Sequence, residues 1–105
     1  MKKKNEKVTA VIELKITPAK DTGFAKIAQR IAKFPQVDAC FLMSGAYDLL
    51  VFVSGKSLQD VAQFVAAELS TIEGVLSTAT HFMLKTYKAK GVLAESADDS
   101  RLAIV

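Results

Sequence analysis

The chain has 105 residues, half of them apolar and 24% charged, which suits a single compact soluble domain able to bury its own core. One cysteine, Cys40, excludes an internal disulfide and fits a reducing cytoplasm. No stretch approaches the roughly 18 apolar residues of a membrane helix, and the start, Met1 to Lys7, lacks the apolar segment of a signal peptide.

The net charge of +3 is confined to residues 1 to 7, where Lys2, Lys3, Lys4 and Lys7 face only Glu6. Residues 8 to 105 carry ten basic and ten acidic side chains, so the folded part is neutral and offers no basic stripe for a phosphate backbone. Residues 1 to 7 read as a solubilising tail or the end of a linker.

From Val8 to Thr17 apolar residues alternate with polar ones, at Val8, Ala10, Ile12, Leu14 and Ile16, which predicts a strand. The spacing then changes to Phe24, Ile27, Ala28, Ile31 and Phe34, one stripe of an amphipathic helix that Pro35 ends. A second strand is expected from Val37 to about Met43, and the unbroken apolar run Leu49 to Val53 predicts a central strand covered on both faces. Ser57 followed by Asp60 marks a helix start, with Leu58, Val61, Ala62, Val65 and Leu69 as its apolar face. After Gly74 a last long strand is expected from Val75 to about Tyr87.

An offset of 38 residues places Phe24 on Ala62, Ile27 on Val65, Ile31 on Leu69 and Val37 on Val75, with Ile12 and Leu14 on Leu50 and Phe52. Two such βαβ halves make a ferredoxin-like α+β sandwich, βαββαβ: a four-stranded antiparallel sheet with two helices on one face. The domain is expected over residues 8 to 87, with a C-terminal extension at 88 to 105. Helices cover one side of a sheet, yet Leu49, Val51 and Val53 point one way and Leu50 and Phe52 the other. The second face is therefore expected to meet another copy of the chain, or else the extension folded back over it.

Groups for catalysis are scarce. His81 is the only histidine, placed in a strand with no carboxylate in local register, and Cys40 reads as a small buried hydrophobe. No His or Cys pair has metal spacing and no Gly-rich turn has a nucleotide fingerprint, so neither metal nor cofactor is expected. Two local groups stand out. Met43-Ser44-Gly45-Ala46-Tyr47-Asp48 puts an acid at the mouth of an apolar strand, where it needs a cation or N–H donors, although a tight turn with Asp48 bonded to its own backbone is also compatible. Thr78 and Thr80 place two hydroxyls on one strand face, able to donate to a carboxylate but equally ordinary strand residues.

Taken together, Phe34-Pro35-x-Val37, Gly45-x-Tyr47-Asp48, Ile72-x-Gly74-Val75 and Thr78-x-Thr80 resemble the effector domain of Lrp/AsnC transcription regulators, over about residues 8 to 87. The tail from Tyr87-Lys88 through Gly91 to Arg101 is also similar to that of some members. The resemblance implies dimers paired through the open sheet face, often assembled into octamers. It also implies an amino-acid effector held between dimers by Met43, Gly45, Tyr47 and Asp48 and by Thr78 and Thr80. Asp48 would take the ammonium and the threonines the carboxylate. Full members carry an N-terminal helix-turn-helix that reads DNA, and only seven residues precede the first strand here, so this chain alone is expected not to bind DNA specifically. It would be a stand-alone effector domain or the C-terminal part of a longer regulator. The expectation is a cytoplasmic, amino-acid-sensing oligomerisation domain that is not an enzyme and meets no membrane. Its rivals are an ACT-like regulatory domain of a metabolic enzyme and a dimeric ferredoxin-like oxygenase or isomerase built round His81.

Overall fold

In a computed structural model, the structure describes residues 7–94 apart from positions 19 and 22. The basic tail, all but Lys7, and residues 95 to 105 of the extension lie outside the described residues. The elements are β1 (Val8–Ile16), α1 (Ala25–Ala32), β2 (Val37–Leu42), β3 (Leu49–Gly55), α2 (Leu58–Phe64) and β4 (Val75–Phe82). A short hairpin follows, β5 (Lys88–Ala89) and β6 (Val92–Leu93). The four main strands form one sheet in the order β2-β3-β1-β4, each pair antiparallel, with both helices on one side. The ferredoxin-like sandwich expected from the two βαβ halves is thus the observed architecture.

Burial assigns the sheet faces. Ala10, Ile12 and Leu14 of β1 and Leu49, Val51 and Val53 of β3 are fully buried against Ile31 of α1 and Val61 and Leu69 of the second helix. Every buried side chain among the described residues is apolar. The opposite parity, with Val11 and Glu13 on β1 and Leu50 and Phe52 on β3, faces away from the helices and is only partly buried. Phe41 of β2 stands on that open face beside Phe52, edge to face with ring centroids 6.1 Å apart, and is 51% exposed.

Local chemistry sets the element ends. The Ser57 hydroxyl accepts from the Asp60 N–H at 3.0 Å, capping α2 as its sequence predicts. The helix widens into a π-type turn over Val65–Leu69, closed by the Ser70 N–H on the Val65 carbonyl at 2.8 Å. Gly74 is required where the chain enters β4: its φ is +101°, and a Cβ there would stand 2.6 Å from Ile27 Cδ1. Its carbonyl accepts from Thr17 N–H at 2.8 Å, pinning the end of β1 to the start of β4.

Two expectations need correction. The last strand ends at Phe82 rather than near Tyr87, because its ladder partner β1 begins at Val8 and the Met83 N–H to Thr9 carbonyl bond, 2.9 Å, is the final rung. The 38-residue repeat holds from the helices onward but slips by one in the first strands of each half. Ile12 and Leu14 face the helices, whereas Leu50 and Phe52 face the open side. A one-residue slip inverts every side chain of a strand, so burial and not alignment decides the faces.

Candidate functional site

The Met43–Asp48 loop joins β2 to β3, and Gly45 at φ +134° supplies a backbone conformation that side-chain-bearing residues avoid. Asp48, at its end, ties three strands together. Its carbonyl accepts from Met43 N–H at 2.8 Å and its N–H donates to the Leu14 carbonyl at 2.9 Å. Its carboxylate Oδ2 accepts from Ile16 N–H at 2.9 Å. The β1–β3 ladder ends at Leu14 and Leu49, so the carboxylate supplies the acceptor for an N–H just beyond the last pair. The acid therefore bonds to the backbone of β1, 32 residues away, and not to its own turn. A carboxylate offers about four acceptor positions, so this one bond leaves capacity for further donors. Asp48 and Tyr47 are both half-buried.

Thr78 and Thr80 lie on β4, opposite Leu14 and Ile12, and share the helix-facing parity of the sheet. Both are half-buried on an edge strand. Leu14 is paired with Leu49 on one side and Thr78 on the other, so two strand spacings, about 10 Å, separate the Asp48 end of β3 from Thr78. The structure thus places the loop and the hydroxyl pair at neighbouring parts of the sheet with β1 between them. Two open grooves of the chain lie elsewhere. One runs between Gln36, Ser54, Lys56, Asp60 and Glu68; the other is an apolar dip between Phe24, Ala28 and Leu42. Neither is lined by Met43, Gly45, Tyr47, Asp48, Thr78 or Thr80.

His81 occupies the open face, across from Val11, with Nε2 3.4 Å from Glu13 Oε2. The carboxylate beside it, Glu13, comes from β1 on the diagonal of the antiparallel ladder, outside the local register in which none was expected. The pair is open to water, with side chains 59% and 37% exposed, and outside the core where an enzyme cavity would need a polar group. Cys40 is half-buried under α1, its Sγ 4.0 Å from the Ala28 carbonyl, and burial pushes its thiol above the ordinary value, away from nucleophilic reactivity. Among the described residues no group of three or more His, Cys, Asp or Glu could hold a metal ion, and no helix is long and apolar enough to cross a membrane.

The fold and this loop define a class: a ferredoxin-like domain with one uncovered sheet face and a glycine-bearing loop that ends in a carboxylate. Residues 9–93 match the Lrp/AsnC ligand binding domain, and the chain belongs to that family. Over 101 residues, 96% of the chain, it is 48% identical to the uncharacterized HTH-type transcriptional regulator YugG of Bacillus subtilis, spanning 61% of that protein's length. The transcriptional regulator NMB0573 of Neisseria meningitidis, solved as its L-Met complex, superposes with a TM-score of 0.68 at 28% identity, over 83% of this chain and 56% of that one. AsnC of E. coli superposes with a TM-score of 0.71 over 79% of this chain and 54% of that one, and at 19% identity it shares the fold. The chain thus spans little more than half the length of these relatives.

Proposed function

We propose that this chain is the effector-sensing and self-associating part of an Lrp/AsnC-type transcriptional regulator, taking a zwitterionic amino acid and making or breaking no covalent bond. The observation that carries the reading is Asp48, a half-buried carboxylate held in place by one backbone N–H at a glycine-bearing loop. A fixed acid with unused acceptor positions suits an ammonium. Thr78 and Thr80 supply the hydroxyls for a carboxylate, and Met43, Gly45 and Tyr47 form the loop wall. Because β1 separates the two groups, a second copy brought against the loop completes the pocket. The L-Met complex of the Neisseria regulator supports an amino acid as the ligand class.

Self-association uses the open sheet face, where Leu50, Phe52 and Phe41 would otherwise face water. The assembly is a dimer that builds further, to an octamer when four dimers close a ring, in the cytoplasm, and DNA is read by a domain other than this one. Methionine first, then the other amino acids, should be tested by calorimetry on the purified chain. One or more should bind and raise the unfolding temperature, since a ligand specific to the folded state stabilises it. Thr78→Val should weaken that binding by about 1.5 to 3 kcal/mol, the contribution of a hydroxyl donor to a charged acceptor. A panel with no binder, at any concentration where the chain is assembled, would remove the sensing reading.

A further inference from the structure

Beyond Phe82 the chain leaves the sandwich. Five residues on, it folds into a hairpin in which Lys88 pairs with Leu93 and Ala89 with Val92, and the Ala94 N–H donates to the Tyr87 carbonyl at 2.9 Å. Lys90 and Gly91 at the turn have φ of 50° and 81°, the two successive positive values of a type I′ hairpin. Strand alternation puts Tyr87, Ala89, Val92 and Ala94 on one side of this hairpin, an apolar face. It is open to solvent: Tyr87 is 68% exposed, with the Lys85 ammonium 5.2 Å over its ring, and Val92 is 67% exposed. A two-stranded hairpin in water is at best marginally stable, so one with an apolar face calls for a surface to lie on. Its two strands pair with each other and not with the four-stranded sheet.

We infer that this arm, residues 83 to 94, packs on a second copy of the chain, laying Tyr87 and Val92 on the rim of that copy's open sheet face. The inference rests on the self-association reading and adds the element that completes the interface. Area supports it. Four eight-residue strands span about 27 by 19 Å, so the open face projects about 510 Å², short of the roughly 800 Å² per partner of a stable specific interface. Part of that face is polar, with Glu13 and His81 upon it. Charge supports it as well. The arm carries Lys88 and Lys90 and no acid, and the open face it would rim carries the Glu13 carboxylate.

Sedimentation velocity on the full chain and on Tyr87→Glu/Val92→Glu tests this. Both sites are exposed in the single chain, so the double variant should fold. Its dimer should dissociate with a constant raised about tenfold or more, the mark of a lost apolar anchor. Wild type that stays monomeric at every concentration would remove the self-association reading and the arm with it. Wild type that associates, alongside a double variant that associates equally tightly, overturns the arm alone. A second variant, Tyr87→Trp, puts the chain's one tryptophan on the arm. Its emission should move to shorter wavelength over the concentrations at which sedimentation shows association, and emission typical of a water-exposed indole throughout would equally overturn the inference.

Discussion

Replacing Asp48 by alanine and, separately, by asparagine separates what the carboxylate does for the fold from what it does for a ligand. Oδ2 accepts the Ile16 N–H at 2.9 Å in a half-buried place, just past Leu14 and Leu49, the last pair of the β1–β3 ladder. Alanine removes the acceptor. The unpaired N–H then costs about 1 to 3 kcal/mol, toward the lower end because water reaches part of the site. At about 4 to 8 °C per kcal/mol for a domain of this size, the unfolding temperature should fall by roughly 10 °C. Asparagine keeps an oxygen for the same N–H and loses only the charge, so its cost should be about 0.5 to 1 kcal/mol. The order of stability without ligand is therefore wild type, asparagine, alanine, read by calorimetric unfolding. With an amino-acid ligand the two variants should behave alike. Each lacks the charge that meets the ammonium and should lose about 2 to 5 kcal/mol of binding, because the ligand's charge is left unpaired in a desolvated contact. An alanine variant as stable as wild type would refute the Ile16 anchoring argument. An asparagine variant that binds like wild type would refute the ammonium role.

The open face and the strand entry make two further predictions. Phe52→Lys, at a half-buried site outside the helix-covered core, should fold as judged by circular dichroism yet sediment as a monomer, since a lysine ammonium cannot be enclosed there without a partner; a wild-type dimer constant would count against the open-face interface. Gly74→Ala should lower stability by about 1 to 3 kcal/mol, because alanine is strained at φ +101° and its methyl group meets Ile27 Cδ1, and an unchanged denaturation midpoint would show that the backbone there relaxes freely.

Periodicity alone made the architecture legible. The two βαβ halves, the cap formed by Ser57 and Asp60, and the bare second face signalled by Leu49 to Val53 were all readable, because each is a local pattern of side-chain parity or helical spacing. The order and spacing of Gly45, Tyr47, Asp48, Gly74, Thr78 and Thr80 likewise pointed to the family to which the chain belongs. Whatever depended on pairing between distant segments was decided only by the tertiary structure. Register across β1 brings Glu13 to His81, ends β4 at Phe82 for want of a ladder partner, and turns Leu50 and Phe52 to the face opposite Ile12 and Leu14 despite their aligned positions. The same is true of Asp48. Its sequence neighbours show an acid in need of a donor, but the donor is the N–H of Ile16, carried there by the antiparallel pairing of β1 with β3. A local pattern records which face a residue prefers; which atoms it meets depends on strand register, and register is set by the packing of the whole sheet.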